Sequence, residues 1–123
     1  MNKLILGMGS NLNHSLGFFE AFFTLNGNVE CVSVSRLLTG DAIGPIGSPV
    51  SNLVVVGYTR LSLEEITTII KRIEREINAA DMSAEWYKLD IDVLFFNDGS
   101  RRHLGKEVTR SYYINLVYSL LFD

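Results

Sequence analysis

Two carboxylates stand two residues apart in an otherwise apolar run, Leu89-Asp90-Ile91-Asp92-Val93-Leu94-Phe95-Phe96. Read as a β-strand from Trp86 to Phe96, the run puts Asp90, Asp92 and Leu94 on one face and Ile91, Val93 and Phe95 on the other. Strand rise separates the two Asp Cα atoms by about 7 Å. Carboxylates that close repel, and burying them unpaired is costly. A hard divalent cation such as Mg²⁺ removes both difficulties, because it prefers carboxylate oxygen. A strand whose entry end is wet, with both side chains solvated, satisfies the same pattern.

Two further places carry groups of chemical interest. Gly7, Gly9, Ser10 and Asn11 follow a short apolar strand over Lys3–Met8, and are expected to break it. Such a turn before a helix can hold an anion, or can be an ordinary β-to-α turn. Asn52 stands at the mouth of an apolar strand, Asn52–Thr59, where a carboxamide offers a flat heterocycle both a donor and an acceptor. It serves equally well as a polar strand cap.

The elements that must position these groups follow from periodicity. A first helix is expected around Leu16–Phe23, ended by Asn26-Gly27. Val29–Arg36 reads as a half-buried strand near a sheet edge, although Val29 and Cys31 fall on the opposite face from Val32 and Val34 in a strict alternation. Thr39–Ser51, with Gly40, Gly44, Pro45, Gly47 and Pro49, reads as a long loop, a length that usually marks function. Ser62 and Glu65 form a capping box for a second helix, whose buried stripe is Ile66, Ile69, Ile70, Ile73 and Ile77. Arg72 and Glu76 are spaced as an ion pair on its outer face. Asn78–Glu85 is a linker, Asn97-Asp98-Gly99-Ser100 a turn, and Val108–Phe122 a final amphipathic helix with Tyr112 and Leu116 inward. The order β-α-β-β-α-β, then α, is the ferredoxin-like pattern. It predicts an α+β fold: a four-stranded antiparallel sheet with helices on one face, plus a C-terminal helix.

At 123 residues and 47% hydrophobic, the chain fits one domain, 1–123, able to bury a real core. A net charge of −3, with Arg101-Arg102 as the densest basic cluster, argues against a nucleic-acid partner. No apolar run approaches membrane-spanning length. The single cysteine, Cys31, precludes an internal disulfide and fits a reducing compartment, so a cytoplasmic location is expected.

Taken in order, these pieces resemble the 6-hydroxymethyl-7,8-dihydropterin pyrophosphokinase family of folate biosynthesis. Gly9-Ser10-Asn11-Leu12 is similar to that family's G-S-N-L. Val34-Ser35 and Ile43-Gly44-Pro45 are similar to its V-S…G-P segment, and Asn52…Thr59 to its L-N…T strand. Leu63-Glu64-Glu65 and Ile73-Glu74 are similar to its second helix, Trp86 and Leu89-Asp90-Ile91-Asp92-Val93-Leu94 to W…D-L-D-I-L, and Arg110-Ser111-Tyr112 to R-x-F. The resemblance implies transfer of pyrophosphate from ATP to the hydroxymethyl oxygen of a pterin, leaving AMP. It implies that Asp90 and Asp92 hold two Mg²⁺ ions. Asn52 would then bond the pterin edge, Gly40 and Ile43 frame it, Tyr112 stack on it and Trp86 border it. Glu74, His103 and Arg110 would face the nucleotide.

The chain also departs from the family. The family's basic catalytic loop corresponds to Asn78–Glu85, which contains no Lys or Arg. Lys88 is the cation nearest the Asp pair and the expected catalytic substitute, with Arg101, Arg102 and Arg110 as further candidates. One aromatic of the family's pterin sandwich is replaced by Val50-Ser51. The rival reading is a catalytically weak or inactive paralogue that binds a pterin, a nucleotide or a protein partner. A ferredoxin-like domain with another phosphoryl chemistry is a third.

Overall fold

The computed structural model describes residues 1–10, 25, 27–35, 38–40, 50–79, 89–109 and 113–117. They form an antiparallel sheet of six strands: β1 (Asn2–Ser10), β2 (Glu30–Val34), β3 (Leu38–Gly40), β4 (Val50–Thr59), β5 (Asp90–Asn97) and β6 (Arg102–Leu104). The spatial order is β2-β4-β1-β5-β6, with β3 also pairing β4. One long helix, α1 (Leu63–Ala79), connects β4 to β5. Residues 106–109 form a 3-10 turn rather than the start of the final helix, and residues 113–117 are helical. The helix expected at Leu16–Phe23 lies outside the described residues.

The sheet has two more strands than the four expected. β3 takes up the beginning of the segment read as a loop and runs along β4, with Leu38 opposite Asn52 and Gly40 opposite Val50. The chain passes from β2 to β3 on the same edge of β4: Ser35 Oγ accepts from Val54 N–H at 2.8 Å, and Ser35 N–H donates to Val54 O at 2.8 Å. β6 returns against β5 after the Asn97–Ser100 turn. There Asp98 Oδ1 accepts from Arg101 N–H at 2.7 Å and Ser100 N–H at 3.0 Å. Gly99 adopts φ +93°, which favours glycine over residues with a Cβ.

Two bulges change the expected parity. In β2 the register slips between Cys31 and Ser33, which accounts for the mixed alternation around Val32. In β5 Leu94 is the extra residue, since Ile5 pairs with Phe95 while Leu6 pairs with Val93. Beyond it, Phe95 shares the face of Leu94, not that of Ile91 and Val93 as alternation predicts. Gly105 N–H bonds the Leu94 carbonyl at 3.0 Å, and a Cβ on Gly105 would collide with the Val93 carbonyl.

β1 does not break at Gly7 or Gly9; it continues through both to Ser10. These glycines answer close approach rather than chain reversal. A Cβ at Gly7 would lie 2.6 Å from Tyr113 Cζ, and one at Gly9 would lie 2.8 Å from Asn52 Oδ1.

Both faces of the sheet are covered. On one, Leu4, Leu6, Met8, Leu53, Val55 and Ile91 meet Ile66, Ile70 and Ile73 of α1, with Leu25 beside them. Ile69 and Ile77 complete the stripe as partly buried residues. The capping box forms as expected: Glu65 N–H donates to Ser62 Oγ at 3.1 Å and Ser62 N–H donates to Glu65 Oε1 at 3.1 Å. Among the described residues, the ion pair on this helix is Lys71–Glu74 at 3.5 Å, not Arg72–Glu76. On the other face, Ile5, Val54 and Leu94 pack against Tyr113 and Leu116. Among the described residues no helix is long and apolar enough to cross a membrane.

Candidate active site

Strand register assembles the site. Gly9 of β1 pairs with Asn52 on one side and Asp90 on the other; Gly7 pairs with Val54 and Asp92. Directly paired residues of antiparallel strands share a face. Asn52, Asp90 and Asp92 therefore stand on one face, across a floor of two glycines. The strands carrying Asn52 and Asp90 flank β1, which sets their Cα atoms about 10 Å apart at the usual strand spacing. The side-by-side placement of the two Asp residues, expected from alternation, holds because the Leu94 bulge comes after them.

Asn52 is 7% exposed, and among the described residues its carboxamide has no hydrogen-bond partner. Buried polar groups are nearly always paired, so an unpaired buried amide calls for a ligand or water. The Gly9 slot lets its Oδ1 approach the backbone of β1. Ser10 and Ser51, the paired residues next along the strands, are also fully buried.

Asp90 and Asp92 are half-buried. Among the described residues no third His, Cys, Asp or Glu joins them in a metal-binding group. Two carboxylates on one partly solvated face suit Mg²⁺, which takes one or two protein carboxylates and fills its octahedron with water and phosphate oxygen.

Asp92 also lines a cleft of about 480 Å³ between α1 and the β5–β6 edge, with Thr67, Lys71, Val93, His103 and Lys106. His103 is exposed on β6 and faces this space. The cleft contains two cations that sequence reasoning missed, Lys71 and Lys106. Lys71 reads as one more charge on a solvated helix face, and Lys106 follows the short strand β6, which has no strong sequence signal.

Glu74 lies near this cleft but does not line it. Its Oε1 accepts from Ile91 N–H at 2.9 Å, so it fastens β5 between the two Asp residues. Burial pushes its carboxyl above the usual range, against the bond from Ile91 and the charge of Lys71; the nearby Asp90 charge adds to the rise. Arg101 pairs with Glu64 at 2.8 Å on the surface. Gly40 lies in β3 on the face shared with Asn52. Ile43, Trp86, Lys88, Arg110 and Tyr112 lie outside the described residues. Tyr113, adjacent to the expected Tyr112, is the aromatic that covers the glycine floor.

The family model for 7,8-dihydro-6-hydroxymethylpterin-pyrophosphokinase (HPPK) matches residues 5–120. A folate synthesis bifunctional protein of Chlamydia caviae is 27% identical, over 95% of this chain and 30% of the relative. One of Chlamydia muridarum is 33% identical, over 80% of this chain and 24% of the relative. The chain thus spans under a third of the length of these curated relatives. With nearly its whole length matched, the chain belongs to the 7,8-dihydro-6-hydroxymethylpterin-pyrophosphokinase family.

Proposed function

We propose that this chain transfers pyrophosphate from ATP to 6-hydroxymethyl-7,8-dihydropterin, a step of folate biosynthesis, and releases AMP. The observation that carries this reading is the shared face: a buried Asn52 amide, unpaired among the described residues, on one side of Gly9 and the Asp90–Asp92 pair on the other. A ring held by the amide brings its hydroxymethyl arm across β1 toward the carboxylates. The hydroxymethyl oxygen gives up its proton to water and forms a bond to the β-phosphorus, and the bond from that phosphorus to the α,β-bridging oxygen breaks, so AMP leaves with that oxygen. Asp90 and Asp92 would hold Mg²⁺, two ions in the full reading, which neutralises charge on the triphosphate. Glu74 keeps the Asp-bearing strand in place through Ile91. Lys71, His103 and Lys106 supply positive or hydrogen-bonding groups to the phosphates from the cleft that Asp92 shares. The order of the four long strands, β2-β4-β1-β5, supports a ferredoxin-like core.

One sequence feature favours the non-catalytic rival. Asn78–Glu85 contains no cation, and one lost charge-stabilising donor costs about 10²- to 10³-fold in rate in comparable sites. The deciding experiment mixes the protein, MgATP and the hydroxymethyl pterin and measures AMP. AMP formation dependent on all three is expected. No AMP, together with ATP binding that Mg²⁺ does not improve, would leave the non-catalytic paralogue as the better account.

A further inference from the structure

Tyr113 is buried to 1% exposure and lies against β1 at Gly7. The atoms nearest the strand are those at its hydroxyl end: a Cβ on Gly7 would meet Cζ at 2.6 Å, Cε1 at 2.7 Å and Cε2 at 2.9 Å. The hydroxyl points along the strand, 3.7 Å from where a Cβ on Gly9 would stand. Gly9 has Asn52 on one side and Asp90 on the other, and Gly7 has Asp92 beside it. The phenol oxygen therefore lies over β1, between the amide and the carboxylates.

We propose that Tyr113 is a further substrate-binding residue whose phenol hydroxyl hydrogen-bonds the hydroxyl of the acceptor substrate between Asn52 and the Asp pair. The assignment rests on the pterin reading above. A substrate whose ring is held at Asn52 must carry its reactive hydroxyl across β1 to reach the metal-binding side. At that crossing β1 offers only Gly7 and Gly9, which have no side chain. Tyr113 places a polar atom over this gap. A phenol oxygen both donates and accepts, so it can take a substrate hydroxyl alongside a protein partner. Its fixed position adds orientation that a flexible side chain would not.

Tyr113→Phe tests the assignment, because it keeps the ring against Gly7 and removes only the hydroxyl. Affinities for 6-hydroxymethyl- and 6-methyl-7,8-dihydropterin are measured by calorimetry with a non-hydrolysable ATP analogue and Mg²⁺. The parent should prefer the hydroxymethyl compound. The variant should lose about three- to tenfold of that preference, the value of one neutral hydrogen bond. Its affinity for the methyl compound should stay unchanged. Tyr113→Leu, also lacking the hydroxyl, repeats the comparison in a second background. An unchanged preference in these variants, or an equal loss for both pterins, overturns the assignment alone. Binding of neither pterin by the parent overturns the pterin reading and the assignment with it.

Discussion

The two faces of the sheet are built from the same strands and are unlike. Under α1 the middle of the face is apolar: Leu4, Leu6 and Met8 of β1 with Leu53, Val55 and Ile91 of its neighbours, closed by three buried isoleucines, while the polar pairs Asn2–Thr59 and Ser10–Ser51 stand at its ends. The opposite face is apolar only at one end, where Ile5, Val54 and Leu94 meet Leu116. Toward the other end it changes to Gly7, Gly9, Asn52, Asp90 and Asp92. Side-chain alternation lets one strand serve both purposes, with Leu4, Leu6 and Met8 of β1 packed under α1 and Gly7 and Gly9 leaving open space on the other face. Changes on one face should therefore leave the other's function largely alone.

The sharpest break of this kind is Asp92→Asn. It should lower Mg²⁺-dependent AMP formation on the order of 10³-fold, since a metal ligand supports several kcal/mol of charge stabilisation. The unfolding midpoint should change little by comparison, because Asn keeps the side chain's size and one acceptor oxygen. A steady-state AMP assay paired with thermal denaturation checks both halves. An active Asp92→Asn variant would show that this face does not hold the metal.

The complementary break is Ile66→Ala under α1. Ile66 is fully buried, and such truncations cost about 2–5 kcal/mol of stability. Urea titration should show that loss, while the folded fraction at low temperature keeps the parent's Mg²⁺ dependence. A change in the metal concentration for half-maximal rate would mean the two faces are coupled.

This division was partly legible in the sequence. The capping box and isoleucine stripe of α1 are local patterns, and the helix formed where they indicated. Asp90 and Asp92 share a face because period 2 holds over short distances, and Asn52 gains its meaning from family likeness and from register with Gly9. Alternation failed at Phe95 and at Cys31, where one extra residue per strand reverses the faces. β3 and β6 are too short, at three residues each, for periodicity to show. Gly7 and Gly9 read as chain breakers because glycine is ambiguous in a lone sequence. What requires them is Tyr113 and Asn52, distant in the chain, and no local pattern shows such a contact.

A smaller effect sharpens the contrast within the site face itself, between the amide side and the carboxylate side. Asn52→Ala should weaken pterin binding by roughly 1–3 kcal/mol, the cost of leaving buried polar ligand atoms unpaired. ATP affinity should stay at the parent value, since the amide and the Asp pair stand on opposite sides of β1. Calorimetric titration of each ligand separately gives the answer. Equal pterin affinity in parent and variant would remove Asn52 from the pocket.

Glu74 gives the smallest expected effect and joins the two faces, because it reaches from α1 to the strand carrying the Asp pair. Its side chain is 15% exposed and its carboxyl is raised, chiefly by burial. An acid with a folded pKa above its unfolded value binds more protons when folded, so its effect favours folding at low pH. That contribution is present in full below the ordinary Glu value and is lost as pH rises through the raised one. Glu74→Gln keeps an oxygen to accept from Ile91 N–H but cannot ionise. The exposed Lys71 partner is a minor loss, since pairs of this kind contribute about 0–1 kcal/mol. Urea midpoints measured across the carboxylate range should therefore decline less with rising pH in Glu74→Gln than in the parent. Glu74→Leu removes the acceptor too and should be worse at every pH, by roughly 1–3 kcal/mol for the stranded Ile91 N–H. AMP formation should fall in the Leu variant and hold in the Gln variant, because the strand needs an acceptor at this point rather than a charge. Parallel pH profiles for parent and Gln variant would show that the burial of Glu74 has no bearing on stability.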